Sequence, residues 1–195
     1  LQEHYGVIPD LTAMGKGVGG GMPFGAWGGR KDILDFWNPE KGEEGVIMVS
    51  TAGGNAMTMV AGLAAMEHLT RDVIEKRNAL GDKLRSAMND AFKSNGIRGR
   101  VTGLCNSFWI HWTDKPIRDP YDVVDAMLQV TDRVRNLLFM GMRYHGVYLF
   151  PSPSPFGNLS TVMGDKEINQ IINALGETLS EIRPVIEDEC PNVLT

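Results

Sequence analysis

A single lysine in a run of glycines constrains this chain more than any other feature. The run extends from residue 14 to residue 25 and reads MGKGVGGGMPFG. Glycine reaches backbone angles that other residues avoid, and it carries no side chain that would keep a bulky group away. We therefore expect a tight loop that lets a ligand come close to Lys16.

Lys16 has two interpretations from the residues alone. A lysine amine with an ordinary pKa of about 10.4 is mostly protonated at neutral pH and is a poor nucleophile. An apolar, glycine-lined pocket would lower that pKa and free the lone pair for attack on a carbonyl. The simpler alternative is a solvated lysine on a glycine-rich surface turn, and composition alone favours it because short glycine motifs are weak signals.

Two familiar phosphate-binding loops are excluded by the residues around Lys16. A Walker loop has Ser or Thr directly after its lysine, but Gly17 follows here. A dinucleotide-binding loop should open a helix after a strand, and Pro23 and Gly25 argue against a helix at that point.

The composition is that of an ordinary globular protein, in one domain or in parts of two. The chain has 195 residues, of which 43% are hydrophobic and 22% are charged, and its net charge of -5 argues against a nucleic-acid partner. No apolar run approaches the roughly 20 residues that span a bilayer, so we expect no membrane partner. Cys105 and Cys190 form no CxxC pair, which favours a reducing, cytoplasmic location.

A second candidate binding segment, STAGGN, occupies residues 50–55. Its hydroxyls and flexible backbone could bind an anion at the N-terminus of the next helix, where free N–H groups favour negative charge. Asn55 as a simple helix cap explains the same residues without a ligand, and on these residues alone it is the better interpretation.

The hydrophobic pattern predicts alternating strands and helices. In the first part it predicts strands at 11–14 and 25–29, helical turns at 30–37, and helices at 56–69 and 72–94. In the second part it predicts a strand at 108–112, one helix over 123–144, strands at 147–150 and 159–163, and a final helix capped by Asp165 whose tail frays after Pro184.

His111 lies in the predicted strand at 108–112. No second histidine or carboxylate stands near it at a metal-ligand spacing, so we predict no metal site there. We interpret His111 as a structural residue, since a catalytic role would need a partner that the sequence does not reveal.

Five segments in order carry a resemblance to a known family: PDLT from Pro9, MGK with its glycine run, PFGA from Pro23, GGR from Gly28, and STAGGN from Ser50. Together they resemble class III aminotransferases, which are pyridoxal-phosphate enzymes of fold type I and include aminomutases and β-amino-acid transaminases. The resemblance runs over most of the chain, and it reverses the preference for a solvated Lys16 and the preference for a simple helix cap at the segment that contains Thr51.

The resemblance implies a role for two residues. Lys16 matches the lysine that forms the internal aldimine with pyridoxal 5'-phosphate and later moves the α-proton of the substrate. Thr51 matches the threonine that binds the cofactor phosphate of the neighbouring subunit, which implies a homodimer with shared active sites. The family resemblance also implies amino acid and keto acid substrates.

The family's phosphate loop, stacking aromatic residue and pyridine-facing aspartate have no counterpart in this chain, since in the family they precede the lysine. The chain also lacks an initiator methionine, and we expect that upstream sequence is missing and that the piece alone is inefficient. The implied fold is α/β: residues 1–70 form the C-terminal part of the large mixed-sheet domain, residues 71–96 a connecting helix, and residues 97–195 a small α/β C-terminal domain.

Three functions stay open at this stage. The first is a transaminase or aminomutase acting through Lys16, and the second is a racemase or decarboxylase of the same fold. The third is a catalytically silent, truncated paralogue that serves as a dimerisation module. The stretch at 152–156 lacks the arginine that many relatives use for a substrate carboxylate, so the substrate is not decided.

Overall fold

The computed structural model describes residues 2–47, 50 and 53–195. It divides into two compact units, Leu1–Thr70 and Arg71–Thr195.

The first unit is a small hairpin with helices around it. It contains helix α1 (Gln2–Tyr5), strands β1 (Leu11–Gly15) and β2 (Gly25–Gly29), helix α2 (Lys31–Leu34) and helix α3 (Ala56–His68). Short 3₁₀ turns occupy Lys16–Gly19, Asp35–Trp37 and Pro39–Glu44. Strands β1 and β2 pair antiparallel, with Leu11 opposite Gly29 and Gly15 opposite Gly25. Both predicted strands are therefore confirmed, and the lysine loop is the connection between them.

The second unit is a three-stranded antiparallel sheet packed against helices. Its elements are α4 (Arg71–Ser94), β3 (Arg100–Thr102), β4 (Ser107–His111), α5 (Pro120–Met127), α6 (Asp132–Tyr144), β5 (Phe156–Asn158), α7 (Asp165–Glu189) and a 3₁₀ turn at Pro191–Val193. The strand order is β3-β4-β5. Helix α7 packs against both α4 and α6, and α4 also packs against β3 and β4.

The apolar core of the described structure lies in this second unit. Its largest fully buried side chains include Phe92 from α4, Trp112 after β4, Leu138 from α6 and Leu175 from α7. Phe92 and Trp112 meet edge to face, with ring centroids 5.9 Å apart. Buried side chains recur at helical spacing along α4, α6 and α7, and this spacing is the pattern from which helices were predicted in these segments.

The single helix predicted over residues 123–144 is wrong, because the chain forms two helices with a break at 128–131. Asp119 caps α5 by accepting hydrogen bonds from the N–H groups of Tyr121 and Asp122, at 2.8 and 3.0 Å. The Thr131 hydroxyl caps α6 by accepting from Val134 N–H at 3.3 Å. Side-chain caps compete with a continuous helix, and a hydrophobic pattern does not register them.

The strands predicted at 147–150 and 159–163 are also wrong. In this part of the chain the strand that pairs with β4 is β5, at Phe156–Asn158. Phe150 makes an isolated bridge to Phe156. Proline lacks an N–H group, so the three prolines between residues 150 and 156 cannot donate to a ladder. Pairing therefore begins only where the prolines end.

The final helix differs from its prediction at both ends. It is capped at Gly164, whose N–H donates to Glu167 Oε2 at 2.8 Å, while Asp165 is the first helical residue. The helix continues through Pro184 to Glu189, and Ile186 is fully buried. A proline costs a helix one backbone hydrogen bond, but the apolar burial beyond it keeps the last turns in place.

Candidate active site

Lys16 leaves the end of β1 and begins the 3₁₀ turn at Lys16–Gly19. Its φ angle is 56°, in the left-handed region that residues other than glycine rarely adopt. Its side chain is exposed. Backbone strain of this kind is concentrated at functional sites, so the geometry marks Lys16 as a candidate for a functional residue.

Glycines allow this turn to lie directly on helix α3. A Cβ atom on the buried Gly19 would stand 2.4 Å from Phe24 Cβ. Gly20 has a φ angle of 61°, and a Cβ atom there would stand 2.3 Å from the carbonyl oxygen of Ala61 in α3. Both contacts are closer than any side chain permits, so the glycines after Lys16 fix where the lysine stands.

The Lys16 amine has no hydrogen-bond or ion-pair partner among the described residues. Across residues 2–47, 50 and 53–195, no hydrogen bond or ion pair involves its Nζ atom. Cβ atoms built on Gly17 and Gly21 would meet nothing within 4 Å, so the backbone beside the lysine is open. An unpaired primary amine beside open backbone fits an aldehyde-bearing cofactor such as pyridoxal phosphate, because imine formation needs an accessible amine.

Arg30 ties together the two ends of the hairpin that carries the lysine loop. Its Nη1 lies 2.8 Å from Asp10 Oδ1, and its Nη2 and Nε lie 2.6 and 3.0 Å from the two carboxylate oxygens of Asp32. The Arg30 backbone N–H also donates to Asp10 O at 2.9 Å. The hydrogen bonds that Arg30 donates to Asp32 and Asp10 raise the pKa of Arg30, and the bond from Arg30 lowers the pKa of Asp32, so Arg30 and Asp32 each favour the charged form of the other.

Sequence reasoning assigned no role to this Arg30 pairing. The available signal is that Asp10 stands directly before β1 and Arg30 directly after β2. An antiparallel hairpin brings those two positions side by side, so a salt bridge between them is a natural consequence of the strand prediction.

Thr51, the second predicted site residue, lies outside the described residues. Nearby, Asn55 Oδ1 accepts hydrogen bonds from Met57 N–H at 3.0 Å and Thr58 N–H at 3.2 Å. The prediction that Asn55 caps α3 is thus confirmed. An anion site at residues 50–55 stays a prediction.

Metal-ligating clusters and membrane-spanning helices are both absent from the described residues. Within them, no group of three or more His, Cys, Asp and Glu side chains is placed to hold a metal ion. Within them, too, no helix has the length and hydropathy needed to cross a bilayer.

Comparison with known proteins gives a consistent set of relatives. The family model for aminotransferase class-III matches residues 2–137. Glutamate-1-semialdehyde 2,1-aminomutase of Akkermansia muciniphila is 31% identical over 183 residues, which are 93% of this chain and 41% of that protein.

Solved structures agree with the sequence match. The crystal structure of an omega-transaminase from Sphaerobacter thermophilus is 31% identical, with a TM-score of 0.80 over 93% of this chain and 41% of that one. A β-phenylalanine aminotransferase from Variovorax paradoxus is 30% identical, with a TM-score of 0.80 over 95% of this chain and 41% of that one. The chain therefore spans about two fifths of the length of these relatives.

Proposed function

Because the chain belongs to the class III aminotransferases, we propose that it is part of an enzyme that transfers an amino group on an amino acid or amino-keto acid. Class III aminotransferases are pyridoxal-phosphate enzymes of fold type I. The observation that carries the proposal is the free, strained Lys16 at the end of β1.

Lys16 is the residue that would perform the chemistry. Pyridoxal phosphate, when bound, supplies an aldehyde for an amine and an electron sink for the α-carbon of the substrate. Lys16 Nζ would hold the cofactor and, when free, would carry a proton to and from that α-carbon. The glycines around it leave room for the cofactor, and the Arg30 pair holds the hairpin from which the lysine extends.

The remaining assignments rest on the family resemblance. Thr51 would bind the cofactor phosphate of the neighbouring subunit, so the working enzyme would be a homodimer with shared active sites in the cytoplasm. Residues 1–70 would complete the large domain and residues 97–195 would form the small domain, joined by the helix at 71–96. The observed division between residues 70 and 71 supports that arrangement, and α4 packs within the second unit.

Borohydride trapping with pyridoxal phosphate, followed by peptide mapping, tests the role of Lys16. We expect the reduced label on Lys16, its loss in Lys16→Arg, and its retention in the control Lys31→Arg, which changes another exposed lysine of the first unit. If the 195-residue chain takes no label, the same test is made on a chain extended by the N-terminal part of the aminomutase relative. If Lys16 is labelled in the extended chain but not in the 195-residue chain, the 195-residue chain is an inactive piece of an enzyme.

The rival functions give different results in the same series. Absence of label at Lys16 in both chains would overturn the proposal and favour the catalytically silent dimerisation module. Product analysis on the extended chain separates amino transfer from racemisation and decarboxylation, because only transfer yields a new amino compound from a keto acid.

A further inference from the structure

A pocket of about 410 Å³ opens in the second unit, between β4, α5 and the proline-rich segment before β5. Its apolar walls are the side chains of Trp109, Ile117, Val123, Met127 and Phe156, and its polar groups are those of Thr102, His111, Ser152 and Ser154. A volume of this size and a mostly apolar lining with a few polar groups are typical of small-molecule sites.

His111 forms the polar floor of this pocket and is only 4% exposed. Its Nε2 lies 2.8 Å from Thr102 Oγ1, and its Nδ1 lies 3.3 Å from Ser154 Oγ. Ser154 donates its own proton to Ile110 O at 3.0 Å, so its oxygen must accept from His111 Nδ1–H. Nε2 then accepts from the Thr102 hydroxyl, and the whole set is satisfied with an uncharged imidazole.

The surroundings of His111 keep it uncharged. Burial lowers its pKa, and the positive charge of Arg100 lowers it further. Because the Ser154 proton is already committed to a carbonyl, this pair is not arranged as a nucleophile and its base. The set therefore serves as a neutral, rigid hydrogen-bonding floor.

One wall of the pocket is aromatic and partly open. The rings of Trp109 and Phe156 stack with centroids 5.9 Å apart and an angle of 22° between their planes, and Trp109 remains 37% exposed. Among the described residues, no Asp, Glu, Lys or Arg side chain lines the pocket. A charged ligand would lose water there and meet no charged side chain in the pocket lining, which is costly.

We propose that this pocket binds an uncharged aromatic alcohol of one or two rings. The ring would contact Trp109, Phe156 and Met127, and its hydroxyl would pair with the Ser152 hydroxyl, which makes no hydrogen bond within the described residues. This site goes beyond the amino-group chemistry proposed above, and neither the site nor its test depends on Lys16.

Titration of the 195-residue chain with 4-methylphenol tests the proposal directly. With methionine methyl groups labelled for NMR, we expect a saturable shift at Met127 and none at Met140, which is 62% exposed on α6. The charged analogues 4-methylbenzoate and 4-methylbenzylamine should bind at least about tenfold more weakly. Equal binding of a charged analogue, or no saturable Met127 shift, would overturn the proposal.

Two matched pairs of variants locate the site. Val123→Trp should fill the pocket and abolish binding, whereas Val124→Trp changes the next, exposed residue outside it and should leave binding unchanged. Ser152→Ala should weaken the binding of 4-methylphenol about three- to tenfold and leave the binding of toluene unchanged, because only the phenol has a hydroxyl that can hydrogen-bond to Ser152. Ser160→Ala, at an exposed serine, is the control.

The variant results decide the location even where a substitution disturbs folding. If Val123→Trp fails to keep the native Met140 resonance, the Ser152 pair alone decides the outcome. Equal losses from Ser152→Ala and Ser160→Ala, or from Val123→Trp and Val124→Trp, would place binding elsewhere and contradict the proposal.

Discussion

The two units of this chain bury their apolar residues very differently. The second unit has a continuous core in which Phe92, Leu138 and Leu175 are fully buried. In the described part of the first unit only Gly19, Thr58 and Gly62 are buried, and α3 exposes Met57, Val60 and Leu63 by 59% to 69%. The first unit therefore depends on local hydrogen bonds and close glycine contacts, whereas the second depends on packing.

The largest expected effect comes from removing a core ring of the second unit. Phe92→Ala should lower the free energy of unfolding by about 3–5 kcal/mol, because it deletes a fully buried ring and leaves a cavity beside Trp112. Urea unfolding monitored by circular dichroism measures the loss.

Phe36→Ala in the first unit is the matched control for Phe92→Ala. Phe36 is 51% exposed and the Lys41 ammonium group lies 5.1 Å from its ring centroid in a cation–π pair, so its removal should cost about 1 kcal/mol or less. Equal losses in the two variants would contradict the contrast between the units.

A smaller effect is expected at Gly141, where helices α6 and α7 pack against each other. A Cβ atom on Gly141 would lie 2.4 Å from Thr178 Cγ2, so Gly141→Ala should destabilise the second unit by about 1–3 kcal/mol. A Cβ atom on Gly176 in α7 would meet nothing within 4 Å, so Gly176→Ala should stabilise the helix by about 0.5–1 kcal/mol. Thermal melts of the two variants should shift in opposite directions, and shifts of the same sign would show that packing does not limit this contact.

The smallest effect tests the local hydrogen bonds of the first unit. Asn55→Ala removes the side chain that caps α3 and should cost about 1 kcal/mol, whereas Asn55→Asp keeps a cap and should cost much less. Hydrogen exchange read at residues 56–68, with residues 71–94 as the internal reference, measures it. Loss of protection in both helices together would show that the two units do not unfold separately.

Regular hydrophobic periodicity was enough to predict several elements correctly. Helix α4 and strand β4 follow from it because each repeats one pattern within a short segment, whereas short apolar runs located strands β1 and β2 and the Asn55 cap located helix α3. It failed where side chains compete with the backbone: Thr131 starts a new helix, and the prolines before Phe156 delay strand pairing.

The sequence by itself determined the family, the glycine-flanked Lys16 and the cap at Asn55, because Lys16 and Asn55 stand in short local motifs and the family shows in an ordered set of such motifs. Only the tertiary structure decided the strained angle at Lys16 and the meeting of His111 with Thr102 and Ser154. His111 and Ser154 are 43 positions apart. A contact of that kind depends on how β4 and the segment before β5 pack together, and no local pattern in the chain encodes it.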